Sequence, residues 1–155
     1  MLAGTNSTNV CTWDWGPTPA TANQVLIGGG LLDPNIYLAT EGGDTRGEKL
    51  VGGGPTDLLL EVEWLPDGSG FLFSLSTGSA ANLYKYTFAT KEATQLTHFE
   101  NEFIRSFSIS PDGESVVLER AGQFRGGNAD LWVMQLNGRD MRLLVKNGSG
   151  PSWGR

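Results

Sequence analysis

The sequence is poor in the residues that most often carry catalysis or bind metals, since it has one cysteine, Cys11, and one histidine, His98. A lone cysteine forms no disulfide within the chain, so cysteine usage leaves the redox compartment open. We expect Cys11 to be a small buried or half-buried thiol. Zinc takes three or four ligands, and a Ser-His-Asp triad needs a positioned base, for which only His98 is available. We therefore expect no catalytic residues, no metal and no cofactor.

Positive charge and long apolar runs are also scarce. The 11 Lys and Arg residues are scattered among 17 acidic residues, which gives a net charge of −6. Nucleic acids and anionic membranes both need clustered cations, so neither is an expected partner. No run approaches the ~18 apolar residues of a membrane helix, so membrane insertion is not expected. The first residues lack the basic start and apolar stretch of a signal peptide, and we expect any export signal to lie upstream.

Glycine, by contrast, is abundant, at 22 of 155 residues without a collagen period, which predicts many tight turns in an all-β fold. A repeat confirms the importance of those turns. Pro-Asp-Gly occurs at 66–68 and again 45 residues later at 111–113. A degraded first copy has Pro17 at 49 residues before Pro66, and a fourth begins near Trp153, 44 residues after Ile109.

Each repeat predicts four short strands. Proline presets φ, aspartate caps the turn and glycine takes the left-handed position, so Pro-Asp-Gly joins the first two strands. Similar apolar segments begin at Asn35, Asn82 and Asp130, and each is followed by a polar turn and a last short strand. Four strands in 44–49 residues are typical of a propeller blade. We predict a β-propeller of about three four-stranded blades with almost no helix, at approximately 10–53, 54–98 and 99–147, with 148–155 starting or closing a further blade.

Several segments resemble the W-S-P-D-G repeats of TolB-like and WD-repeat-like propellers, namely Trp64-Leu65-Pro66-Asp67-Gly68, Ile109-Ser110-Pro111-Asp112-Gly113, the stretch from Asp130 to Gly138, and Thr94-Gln95-Leu96-Thr97. The resemblance implies that the motif strand is innermost, so that 54–64 and 103–109 line the central channel with backbone and small side chains. It also implies that loops on one face carry binding. Because one fold serves many activities, it does not name one.

Three blades leave two open, apolar sheet faces that favour association. Either the chain is the C-terminal part of a propeller of six or more blades, or two copies pair into a six-bladed ring. The truncated fourth copy favours the first alternative, with Trp153 in the seam that closes the ring.

The candidate binding residues lie on two long loops, which the strand order places on the same side. Arginine and aromatic residues on a rigid scaffold are frequent in binding surfaces, although Phe124 could instead tuck under its own loop. The predicted binding residues are Phe99, Glu100, Asn101, Arg105, Arg120, Gln123, Phe124 and Arg125.

Three further groups of residues could have either a chemical or a purely structural role. The pairs Glu61/Glu63 and Glu100/Glu102 could serve glycoside hydrolysis or be solvated acids. His98 could bind a metal with Glu100 or Glu102, or cap a loop between blades. The glycine triplets 28–30 and 52–54 lack the Lys-Ser/Thr ending of a phosphate loop and are expected to be flexible loops.

These observations favour a non-catalytic module that binds a protein or peptide. Its resemblance to TolB implies a scaffold role in the periplasm, the cell envelope or the extracellular space. One alternative is the substrate-gating propeller of a prolyl oligopeptidase-like serine peptidase. The other is the propeller of a metal-dependent polysaccharide lyase.

Overall fold

A computed structural model describes residues 12–29, 33–43 and 47–153. These residues form twelve strands and no helix, which confirms the all-β prediction. Among them, no helix is long and apolar enough to span a bilayer. Cys11, Gly30 and the segment 154–155, which the sequence analysis discussed, fall outside the described residues.

The strands form three four-stranded antiparallel units in chain order. Blade 1 contains β1 (Thr12–Trp15), β2 (Gln24–Gly28), β3 (Asn35–Thr40) and β4 (Glu48–Gly52). Blade 2 contains β5 (Leu58–Trp64), β6 (Gly70–Ser76), β7 (Ala81–Thr87) and β8 (Glu92–Gln95). Blade 3 contains β9 (Phe103–Ile109), β10 (Ser115–Ala121), β11 (Ala129–Gln135) and β12 (Arg142–Val145). A single parallel pairing, Ala81 with Phe103, joins blades 2 and 3.

The Pro-Asp-Gly turns have the geometry that their sequence predicts. Gly68 and Gly113 have φ values of 73° and 72°, in the left-handed region that favours glycine. The Asp67 Oδ1 atom accepts a hydrogen bond from the Ser69 amide at 2.9 Å. In the second turn, Asp112 makes the same kind of bond. Each turn therefore reverses the chain between the first and second strands of its blade.

Apolar side chains fill the two spaces between neighbouring blades. Because strand side chains alternate between faces, blade 2 contributes one set of residues to each of the two spaces. The core between blades 1 and 2 includes Leu26, Ile36, Val62, Trp64, Phe71 and Phe73. The core between blades 2 and 3 includes Leu72, Leu83, Phe107, Ile109, Leu118 and Met134.

First strands of successive blades are joined by side chains rather than by backbone pairing. Asp14 Oδ2 on β1 accepts the Trp64 amide of β5 at 2.7 Å. One blade further on, Glu63 Oε2 on β5 accepts the Ile109 amide of β9 at 3.2 Å. The resemblance implied small side chains along these strands. Strand β5 instead carries two glutamates, whose long side chains reach the amides of β9.

The same contact recurs beyond β9. The Trp153 amide lies 3.5 Å from Ser108 Oγ, and the Trp153 indole donates to the Ser108 carbonyl at 2.9 Å. Gly150 donates its amide to Glu119 Oε2 at 2.9 Å. Residues 150–153 therefore lie along β9, in the place that the first strand of a following blade takes.

Replacement of the buried Phe71 tests the core between blades 1 and 2. The ring is fully buried, 4.9 Å from the Tyr86 ring between centroids. We expect Phe71→Ala to lower the free energy of unfolding by about 3–5 kcal/mol, because it removes apolar contacts and leaves a cavity. Leu144→Ala, at a half-exposed position, should change it by less than about 0.5 kcal/mol. Urea denaturation measures both, and equal losses would contradict this core assignment.

Candidate functional site

The two long loops with predicted binding residues lie at the same end of the sheets. Adjacent strands run antiparallel, so the Pro-Asp-Gly turns lie at one end, and the loops 77–80, 96–102 and 122–128 lie at the other. We call the second the loop end and the first the turn end. The loops 96–102 and 122–128 meet at their bases, where Phe103 on β9 pairs with Ala121 on β10.

Asn82 fixes the loop 96–102. Its Oδ1 atom accepts hydrogen bonds from Thr97 Oγ1 at 2.9 Å and from the Phe99 amide at 2.7 Å. Its Nδ2 atom donates to the Phe99 carbonyl at 3.0 Å. Asn82 and Thr97 are both buried, where a hydrogen bond is strong and its loss is costly. The loop is therefore held to blade 2 by polar contacts within the chain.

Arg120 joins the same loop to blade 3. Its guanidinium carbon lies 4.4 Å from the Phe99 ring centroid and 4.6 Å from that of Trp132. Its Nε and Nη2 atoms donate to the two carboxylate oxygens of Glu102, at 3.1 and 2.5 Å. Such a two-point ion pair between stacked rings uses the full hydrogen-bonding and stacking capacity of an arginine. Arg120 and Phe99 thus position the loop.

Arg105 holds the second loop. Its Nε and Nη2 atoms donate to the Gln123 carbonyl at 3.0 and 2.7 Å, and Nη2 also donates to the Gly126 carbonyl. Its Nη1 atom lies 3.7 Å from Glu119 Oε1. The guanidinium thus gathers the carbonyls of 122–128 against the sheet. It positions this loop in the same way that Asn82 positions the other.

Phe124 is half-buried, with its ring 5.9 Å from the Phe103 ring and the Arg125 guanidinium 5.6 Å from its own. The structure therefore divides the eight predicted residues into two groups. Those engaged within the chain are Phe99, Arg105, Arg120 and Phe124. Those with exposed side chains are Glu100, Asn101, Gln123 and Arg125.

The sequence interpretation missed what the acidic residues of β5 do. Glu61 Oε2 accepts the Phe107 amide at 2.8 Å, and both glutamates of β5 are half-buried between blades rather than solvated. Burial raises the pKa of Glu61 to about 7, against the lowering effect of the Phe107 amide. Burial likewise raises the pKa of Glu63 to about 7, against the Ile109 amide, with Asp14 adding to the rise. Their spacing of two residues was the available signal.

The described part of the chain gives little support to a metal site or to a serine nucleophile. No group of three or more His, Cys, Asp and Glu side chains there could hold a metal ion. His98 is exposed, and Glu102 is paired with Arg120. The pattern Gly-x-Ser-x-Gly does occur, at 150–154, but Ser152 lies in the segment along β9 and its hydroxyl donates to the adjacent Trp153 carbonyl at 3.5 Å. A nucleophile elbow needs a strand-to-helix turn, which these described residues do not form.

A groove of about 780 Å³, lined by both polar and apolar groups, lies between blades 2 and 3. Its lining includes Lys85, Thr94, Glu114 and Gln135. A binding pocket for a small molecule is usually lined mostly by apolar groups with a few convergent polar ones. None of the eight predicted binding residues lines this groove, so the loop end remains the candidate site that carries them.

No protein-family model and no curated protein matches the sequence. Solved structures do match: the chain superposes on TolB from Acinetobacter baumannii over 76% of its length, with a TM-score of 0.59 and 21% identity. The chain has a TolB-like β-propeller fold. The likeness extends to an oligogalacturonate lyase in complex with manganese, with a TM-score of 0.63, 18% identity and 80% of the chain covered. It also extends to puromycin hydrolase, with a TM-score of 0.58, 22% identity and 86% covered.

The TolB-like chain is much shorter than these structures. It spans 28% of TolB, 33% of the lyase and 21% of puromycin hydrolase. Because the identities are low and binding and catalytic proteins share this fold, the likeness establishes the architecture and leaves the activity open.

The raised pKa values of Glu61 and Glu63 predict a stability that falls as the pH rises. Each carboxyl binds its proton more tightly in the folded chain, so its contribution is fully present below about pH 4.5 and lost as the pH rises through about 7. The melting temperature should therefore fall between pH 5 and pH 8. The double variant Glu61→Gln, Glu63→Gln keeps an oxygen acceptor and should flatten this dependence. Glu92→Gln removes the same charge from an exposed position, and an equal flattening there would refute the assignment.

Removal of the Arg105 guanidinium should loosen the loop 122–128. Arg105→Ala removes the donors to two carbonyls, so we expect amide hydrogen exchange in this loop to speed up about tenfold or more. Arg142→Ala removes an exposed arginine from β12 and serves as the control. Unchanged exchange in the Arg105 variant, measured by mass spectrometry, would show that the loop is held by other contacts.

Proposed function

We propose that this TolB-like propeller is a non-catalytic module that binds a protein or peptide at its loop end. The observation that carries the proposal is the way Arg105, Arg120 and Asn82 hold two adjacent loops in place. Loops ordered before binding lose less conformational entropy when a partner docks, so rigid loops favour affinity. Loops on a rigid scaffold are also a common location for binding residues.

The exposed groups on these loops suggest the chemistry of the partner. Arg125 presents a cation beside the half-buried ring of Phe124, and Gln123 adds an exposed amide. Arginine and aromatic side chains are enriched among residues that dominate binding energy. A peptide segment with a carboxylate next to an apolar side chain would match this surface. Glu100 and Asn101 on the other loop would contact its polar flank.

The absence of an enzymatic role is part of the same proposal. The acidic residues with the most perturbed pKa values, Glu61 and Glu63, hold main-chain amides between blades. Glu102 is committed to Arg120. Carboxyl groups so engaged serve as acceptors within the fold, and the exposed loop residues include no base paired with a nucleophile. Likeness to TolB supports a location in the cell envelope, as part of this proposal.

A second candidate follows from the likeness to puromycin hydrolase, of which this chain matches 21%. The chain would then be part of a propeller that controls access to a separate hydrolase domain. A hydrolase domain in the same polypeptide would favour this candidate. Its absence from the full gene would favour the binding module.

Charge reversal at Arg125 tests the binding surface. A random peptide library is selected on the immobilised full chain, and the best peptides are then synthesised. We expect Arg125→Glu to weaken their binding by about tenfold or more, equivalent to about 1.4 kcal/mol. Arg139→Glu makes the same charge change in the hairpin turn at the turn end and should change the Kd less than about twofold. Thermal unfolding checks that both variants fold.

Two outcomes would count against the proposal. One is a selection that yields no peptide binding better than about 100 μM, a weak affinity near 5.5 kcal/mol. The other is equal weakening by the Arg125 and Arg139 variants, since binding would then depend on net charge alone.

A further inference from the structure

The outer face of blade 1 exposes two tryptophans. Trp13 and Trp15 on β1 are 61% and 40% exposed. Their counterparts in blade 2, Val62 and Trp64, are each 3% exposed, because blade 1 packs over them. Side chains of Ile27 and Val25 stand opposite the two tryptophans on β2, so the apolar face extends across the sheet.

Strand β1 forms one edge of the blade 1 sheet, and two of its main-chain amides point outward from that edge. Gly16 donates its amide to Gln24 on β2 at 2.9 Å, which places Asp14 and Gly16 among the residues that pair with β2. In an antiparallel pair the intervening residues direct their amides away from the partner strand. The amides of Trp13 and Trp15 therefore face the side away from β2.

In blades 2 and 3, the main-chain amides at the corresponding positions donate to side-chain oxygens of the preceding blade. The Trp64 amide goes to Asp14, and the Val62 amide goes to Thr12 Oγ1 at 3.2 Å. The two corresponding amides of blade 3, Phe107 and Ile109, go to Glu61 and Glu63. In both cases the acceptors are side-chain oxygens two residues apart on one strand.

The tryptophan indole adds a third contact to the set. The Trp64 indole donates to the Asp14 carbonyl at 3.1 Å. Trp153 repeats this contact with the Ser108 carbonyl at 2.9 Å. Trp15 holds the equivalent position in its Trp-Gly-Pro motif. By analogy, a strand packed against β1 would offer a main-chain carbonyl to the Trp15 indole.

We infer that the Trp13/Trp15 face is the seat of one further propeller blade. Its first strand carries oxygen-bearing side chains (Asp, Glu, Ser or Thr) at two positions two residues apart. These side chains accept the Trp13 and Trp15 amides, and the carbonyl of the second accepts the Trp15 indole. The inference follows from continuity with the two interfaces already in the chain, and it does not rest on the proposed function.

A second copy of the chain is a poorer occupant. Of the first strands that the structure describes, β1 and β5 already bind the next strand, and β9 is covered by residues 150–153 of the same copy, since Trp153 and Gly150 bind Ser108 and Glu119. Gly148, two residues before the covering segment, lies so close to blade 3 that a Cβ there would be 2.9 Å from Leu131 Cγ. A second copy would have to displace this segment before it could present β9 to Trp13 and Trp15.

The test supplies a blade of known acceptor pattern in place of residues 1–8. Residues 54–102 are added before residue 9, which keeps the 45-residue spacing between Trp64 of the added copy and Trp15. Glu61 and Glu63 of the added copy then face the two tryptophans. We expect amide exchange at Trp13 and Trp15 to slow at least about tenfold relative to the unaltered chain. Near-ultraviolet circular dichroism confirms that the fusion is folded.

A matched fusion carries Glu61→Ala and Glu63→Ala in the added copy only. It should lose this protection while the rest of the chain exchanges as before. Unchanged exchange at Trp13 and Trp15 in the first fusion, or equal protection in both, would overturn the inference. So would sedimentation of the unaltered chain as a dimer that Trp13→Ser and Trp15→Ser return to monomer, because a second copy would then be the occupant.

Discussion

The hydrogen bond from a main-chain amide of one first strand to a side-chain oxygen of the preceding one is the contact on which this structure depends. The first strands of neighbouring blades diverge too far to pair backbone to backbone, yet their amides lie at a buried interface. A buried amide without a partner costs about 1–3 kcal/mol. Asp14 and Glu63 remove that cost with side chains of sufficient reach. Blade stacking is therefore polar near the axis and apolar further out.

Blades 2 and 3 each place a carboxylate at the same location, but on different strands. In blade 2, Glu61 on β5 stands opposite Ser74 on β6. In blade 3 the order is reversed, with Ser106 on β9 opposite Glu119 on β10. Glu119 gains the nearby cation of Arg105, whereas the raised pKa of Glu61 shows that burial dominates there. Ser74, whose hydroxyl is fully buried, has no hydrogen-bond partner among the described residues.

The loop end is likewise organised by contacts between side chains and the main chain. Arginines that could bind a partner are instead used to hold loops: Arg120 by stacking and ion pairing, Arg105 by capturing carbonyls. What remains exposed, such as Arg125 and Gln123, stands on backbone already in place. A rigid platform with a few free polar groups suits recognition better than chemistry, because chemistry requires paired groups of matched pKa.

The sequence alone determined the repeat, the turns and the all-β architecture, since Pro-Asp-Gly chemistry and period-two alternation act over a few residues. It also located both loops of the candidate site. Only the tertiary structure decided which partners the charged side chains of β5, β9 and the loops find. Arg105 finds its carbonyls 18 and 21 residues away, and Glu61 finds its amide 46 residues away on another blade. Such partners are set by the packing of sheets against each other, so no local pattern could distinguish a solvated glutamate from one that joins two blades.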